Sequence, residues 1–143
     1  MNSTGAQAAH EFAPDGSLEA VPAPFKILVV DGHGFFTPAV EEAMQSGSQQ
    51  LLKAASADEA VAITAQFQPD LILFDNEVEG VSGRDVLVEL LIEQPSSAVV
   101  ILANHPRTSD AVTAMRQGAF DYLESPLDLR KLQLIVEIQK AIF

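Results

Sequence analysis

Asp70-Leu71-Ile72-Leu73-Phe74-Asp75 is the stretch on which the fold turns. Four consecutive apolar side chains between two carboxylates are too few for an ordinary helix, and they lack the alternation of a strand with one wet face. A strand buried on both sides accounts for them, as in a parallel sheet covered by helices. The pattern occurs upstream, where Lys26-Ile27-Leu28-Val29-Val30 runs into Asp31-Gly32, and downstream in Ala98-Val99-Val100-Ile101-Leu102.

Helix signals fill the intervals. Thr37-Pro38 reads as an N-cap followed by proline at the first helical position, with Glu41 and Glu42 early in a helix that reaches about Gln45. After Ser46-Gly47-Ser48, Gln50 to Ala55 is predicted as a strand. Ser56 and Glu59 have the spacing of a capping box opening a helix that stops before Pro69. Ser82-Gly83-Arg84-Asp85 is expected to cap a third helix that Pro95 closes, and Thr108 or Ser109 to begin a fourth that Gly118 ends. Ala119 to Leu123 is a short fifth strand, and a last helix follows Pro126. Five strands alternating with five helices imply an α/β fold: a doubly wound, five-stranded parallel sheet in a three-layer sandwich, with right-handed crossovers. Residues 1–24, rich in Ala, Ser, Gly and Pro without periodicity, are expected to be a flexible tail, leaving 25–143 as one domain.

Bulk composition narrows the function classes. Twenty acidic residues against eight basic ones give a formal charge of −12, so phosphate backbones and anionic lipid are repelled on average, and nucleic acid is not an expected partner of this domain. With no cysteine, there is neither a disulfide framework nor a thiolate metal site. No apolar run approaches the ~20 residues that span a bilayer. The amino terminus also lacks a basic region followed by an apolar stretch. A cytoplasmic protein with no membrane partner is the expectation.

In such sheets the functional crevice lies beyond the carboxyl ends of the strands, so Asp31 and Asp75 should converge there. Two neighbouring carboxylates can hold a divalent cation through oxygen ligands, whereas capping of the following turn is the competing role of each acid taken alone. Gly32-His33-Gly34 begins like a dinucleotide fingerprint, but Thr37 stands at the third glycine position and Phe35 and Phe36 intervene. An aspartyl-phosphatase motif would place a second aspartate two residues after Asp31, where this chain has His33. No histidine spacing suggests a Ser/His/Asp set.

The order of features from Phe25 onward resembles the receiver domains of response regulators in two-component signalling. The likeness is carried by Lys26 to Asp31, by Asp70 to Asp75 with Gly80 and Ser82-Gly83 behind it, by Gln117-Gly118-Ala119-Phe120-Asp121-Tyr122-Leu123, and by Pro126-Leu127-Asp128. It implies a flavodoxin-like fold and no enzymatic role beyond Mg²⁺-dependent self-phosphorylation and dephosphorylation. By that resemblance Asp75 matches the phosphoacceptor, Asp31 matches the first of two metal-binding acids, Glu77 lies where a backbone carbonyl meets the metal, and Tyr122 matches the aromatic that reports activation.

The chain departs from the family at three positions. Gly32 replaces the second acid, Ala103 replaces the threonine or serine that bonds the phosphoryl group, and Ser125 replaces the lysine before the proline. Loss of the ammonium removes a charge-assisted hydrogen bond of ~1.5–3 kcal/mol. Ser125 is itself expected to cap the last helix. His33, Glu77, Glu79, His105 and Arg107 fall on the same edge and offer replacement charge. Two readings stay open. One is an atypical receiver with impaired phosphorylation and weak Mg²⁺ binding that works by docking a signalling protein, an output domain or a second copy through the fourth helix, fifth strand and last helix. The other is a working phosphoacceptor modified on Asp75 by a histidine kinase with Mg²⁺. The apolar residues Leu132, Leu134, Ile135, Val136, Ile138, Ala141, Ile142 and Phe143 cover more of the last helix than a one-sided surface helix needs, which suits a docking face.

Overall fold

The computed structural model describes residues 9–12, 18–21, 24–45, 49–78, 86–105 and 108–142. The elements run β1(Ala9–Phe12), β2(Leu18–Val21), β3(Phe25–Val30), α1(Thr37–Ala43), β4(Gln49–Ala54), α2(Ala57–Phe67), β5(Leu71–Asp75), α3(Val86–Glu93), β6(Ala98–Ala103), α4(Thr108–Arg116), β7(Asp121–Glu124) and α5(Leu129–Ile142). The five later strands form one parallel sheet in the order β4-β3-β5-β6-β7, as the alternation of strands and helices predicts. Each connecting helix is required because parallel neighbours cannot be joined by a tight turn.

The continuous apolar runs now have their explanation. In β3, Ile27 and Val29 enter a core on one side of the sheet with Val40 of α1 and Leu132, Ile135 and Val136 of α5. Leu28 and Val30 enter a second core on the other side with Ala60 of α2, Leu90 of α3 and Ala114 of α4. The residues of β5 divide in the same way, Leu71 and Leu73 against Ile72 and Phe74. Successive side chains of a strand point to opposite faces, so two covered faces require two interleaved apolar sets.

Loop chemistry agrees with the sequence reading at some termini and corrects it at others. Ser56 Oγ accepts from the Glu59 amide at 3.2 Å while the Glu59 carboxylate accepts from the Ala55 amide at 2.6 Å, so the capping box is present, reaching one residue further back. Gly118 ends α4 with φ of +108°, a conformation that favours glycine. Thr37 does not cap α1: the helix starts at Thr37, and its hydroxyl is donated to Asp31. Ser125 does not cap α5 either, because Asp128 accepts from the amides of Arg130 at 3.0 Å and Lys131 at 3.3 Å. Asp128 is one residue from the first helical residue and can reach those donors, whereas Ser125 is four residues away.

Residues before Phe25 are read from sequence without any element, yet β1 and β2 pair antiparallel, with Ala9 opposite Val21 and Phe12 opposite Leu18. The signal is local: Pro14-Asp15-Gly16 is turn-forming composition lying between the two segments in sequence. The expected caps at Ser82-Gly83-Arg84-Asp85, together with Glu79, Gly80, Arg107 and Phe143, lie outside the described residues.

Candidate functional site

Asp31 follows β3 and Asp75 closes β5. These strands are adjacent, with Val30 opposite Phe74, so both acids stand on the carboxyl edge of the sheet as predicted. Both are buried, with 7% and 2% exposure respectively. Their hydrogen bonds differ sharply. Asp31 Oδ2 accepts from the Phe36 amide, the Thr37 amide and the Thr37 hydroxyl, each at 2.8 Å, and Oδ1 accepts from the Phe35 amide at 3.2 Å. Asp31 therefore caps the start of α1 across the β3–α1 turn, the role that the sequence assigned to Thr37. Burial pushes its carboxyl upward, but the hydrogen bonds from Thr37 and Phe36 outweigh that and hold it below the ordinary aspartate value.

Asp75 has fewer donors. Its Oδ1 accepts from the Glu77 amide at 2.9 Å. Burial raises its carboxyl above the ordinary value, the negative charges of Asp31 and Glu77 add to the rise, and the Glu77 amide and the charge of His33 only partly oppose it.

The remaining predicted site residues are distributed around this pair. Gly32 follows Asp31, and a Cβ there would lie 3.1 Å from the Ala55 carbonyl oxygen, so the β4–α2 turn closes tightly on that position. Ala103 is 1% exposed at the end of β6, and its carbonyl accepts from the Ser125 amide at 2.8 Å. The two positions are thereby joined through backbone alone. Tyr122, opposite Ile101 in β7, is half-buried and packs against the core on the α2–α3–α4 side of the sheet. The Glu77 side chain turns to His105, with Oε2 3.0 Å from Nδ1, which links the loop after β5 to the loop after β6 at an exposed position. Among the described residues no group of three or more His, Cys, Asp or Glu side chains is arranged to hold a metal.

Phe36, read from sequence only as a bulky interruption of a glycine motif, is 2% exposed and part of the core. Phe35 beside it is 52% exposed, with the two rings edge to face at 5.0 Å. Phe35 lines a groove of about 400 Å³ shared with Pro38, Pro126 and Leu127. Nothing in the local sequence separates the two phenylalanines; the turn imposed by Asp31 does.

Residues 27–137 match the model of the response regulator receiver domain. The chain belongs to that family. Among curated relatives, this receiver is 31% identical over 105 residues to protein PilH of Pseudomonas aeruginosa, covering 72% of this chain and 87% of PilH. It is 30% identical over 111 residues to the DNA-binding transcriptional regulator NtrC of Salmonella typhimurium, covering 78% of this chain but only 24% of NtrC. The chain thus spans about a quarter of the length of that regulator. Among solved structures, the receiver domain of NtrX from Brucella abortus superimposes with a TM-score of 0.70 at 30% identity, over 79% of this chain and 96% of that one. A response regulator receiver domain from Clostridium thermocellum gives 0.70 at 28% identity, over 80% and 92%. The fold is accordingly the flavodoxin-like receiver fold. Receivers of this family typically bind Mg²⁺ at the phosphorylation site, and they interact with histidine kinases and output domains.

Proposed function

We propose that this receiver is an atypical signalling domain of the two-component phosphorelay type that acts mainly by docking to proteins, with phosphoryl transfer to Asp75 impaired. In this reading Asp75 takes the phosphoacceptor role, Asp31 and Gly32 stand at the positions of the paired acids, Ala103 and Tyr122 at those of the switch pair, and Ser125 at that of the lysine. The observation that carries the reading is the company of Asp75: Gly32, Ala103 and Ser125 bring no ionisable group to it. An acyl phosphate adds close to two negative charges, here beside the buried carboxylate of Asp31, and no lysine offsets them. Ala103 also lacks the hydroxyl that would bond a phosphoryl group and draw in the β6–α4 loop.

Mg²⁺ fits the remaining donors poorly. The ion demands near-octahedral oxygen ligands and sheds water reluctantly. Oδ2 of Asp31 already takes three donors and Gly32 contributes no oxygen from a side chain, which leaves chiefly the Asp75 carboxylate and the backbone carbonyl at Glu77 to meet the ion. Weak binding of the ion is the consequence.

A docking role is supported by the exposed apolar side chains of Val112 and Met115 on α4, Phe120 before β7, and Leu134, Ile138 and Ile142 on α5. The three on α5 are spaced by four residues and form one stripe. Gln133 reaches α1, through the Ala43 carbonyl, while Lys131 leans toward Asp121 of β7, so the stripe lies on the β7 side. This α4–β7–α5 face suits a second copy or an output domain. Residues 25–143 form the docking unit of a cytoplasmic regulator. No helix among the described residues is long and apolar enough to cross a membrane.

The test is to incubate the protein with Mg²⁺ and acetyl phosphate or beryllofluoride, following intact mass, melting temperature and sedimentation beside an Asp75→Ala control. An unchanged protein that still self-associates or binds its partner is expected. A mass gain of one phosphoryl group that the control lacks would overturn the impairment and make the domain an ordinary phosphoacceptor.

A further inference from the structure

We infer that Asp31 is a helix-anchoring residue and not a cation ligand, so that this receiver holds its β3–α1 turn in one conformation without any metal. The inference deepens the reading of an impaired site and rests on it only for the family correspondence of Asp31. A carboxylate has about four lone-pair positions. The Phe36 amide, the Thr37 amide and the Thr37 hydroxyl occupy Oδ2, and the Phe35 amide occupies one side of Oδ1, which leaves a single lone pair. That lone pair allows at most one monodentate contact, and a closer approach would draw the carboxylate away from donors that are otherwise orphaned, since the first amides of a helix have no partner within it.

The burial pattern shows what the anchoring accomplishes. Donors from three consecutive residues converge on one carboxylate, and this turns Phe36 into the core while leaving Phe35 half-exposed over the groove beside Pro126. Gly32 belongs to the same arrangement, because a side chain at that position would crowd the Ala55 carbonyl at 3.1 Å. A side chain at this position requires the Ala55 carbonyl to give way by a few tenths of an ångström, so the glycine suits the turn as it stands.

Asp31→Ala and Asp31→Asn distinguish the two roles, because an asparagine retains a capping oxygen but loses the charge that a divalent cation needs. Wild type should show no saturable change in its ¹H–¹⁵N spectrum at residues 31–37 and 75–78, and no rise in melting temperature, up to about 10 mM Mg²⁺. Asp31→Ala should melt lower by about 5 °C or more, with Asp31→Asn recovering much of that loss. A saturable Mg²⁺ response in wild type that both substitutions abolish would overturn the inference, as would an alanine variant as stable as wild type. Should the alanine variant fail to fold, the wild-type titration and the asparagine variant still decide. Phosphorylation of Asp75 without a Mg²⁺ response would sink the proposed function and leave Asp31 as an anchor.

Discussion

Asp31 and Asp75 occupy equivalent places at the ends of neighbouring strands, and their surroundings drive them in opposite directions. Asp31 lies below the ordinary value, so the stability it contributes is present above the unfolded aspartate value and is lost as pH falls through its lower folded one. Asp75 lies above, so its ionised form opposes folding at neutral pH, and that cost fades as pH falls through its raised folded value. Asp75→Asn should therefore be more stable than wild type at neutral pH, with the difference shrinking in urea melts as pH falls from neutrality through the raised folded value of Asp75. A constant difference across that range would mean that the effect is packing and not charge. The identity and edge of both acids were legible from the apolar runs that precede them. Their partners were not, because a carboxylate bonds whatever donors the following turn carries back to it, and the path of that turn depends on where Phe36 is buried.

Among the helices, two expected caps moved to other residues for the same reason. The sequence offered Thr37 and Ser125 as cap types in front of prolines, but the helices begin where the chain packs on the sheet: α1 is capped by an acid six residues before Thr37, and α5 by Asp128. Asp128→Ala should cost ~0.5–2 kcal/mol in chemical denaturation, whereas Ser125→Ala should be near neutral, since Ser125 bonds the Ala103 carbonyl through its backbone amide. Equal losses for the two would restore Ser125 as the cap. The capping box at Ser56 and Glu59, by contrast, is legible in the sequence because its partners are separated by only three residues.

Over the whole molecule, the sheet carries two cores, and α5 has more apolar surface than its own packing uses. Leu132, Ile135 and Val136 are buried, while Leu134, Ile138 and Ile142 remain exposed. If the α4–β7–α5 face is the docking surface, Ile138→Glu should abolish self-association in sedimentation experiments at an unchanged melting temperature. Its side chain is 41% exposed, so the substitution introduces charge without opening a core. A variant that still associates like wild type would place the contact elsewhere. The net charge of −12 opposes association of identical copies, so any dimer should tighten as salt rises toward physiological ionic strength.

The layered fold was determined by the sequence alone. A strand covered on both faces has to be apolar at every position, so β3, β5 and β6 can be recognised from a few adjacent residues, and the helices between them follow from the need to cross over in parallel. The side-chain identities around Asp75, including the absence of an acid at position 32 and of a lysine at 125, are equally a property of the sequence. Only the tertiary structure decided that Asp31 is occupied by the start of α1, that Glu77 is turned toward His105 and that Phe35 rather than Phe36 faces solvent. Each of these depends on hydrogen-bonding or packing partners that loops bring together in space, and a polar group takes the partner that satisfies it at the least desolvation cost, wherever along the chain that partner lies.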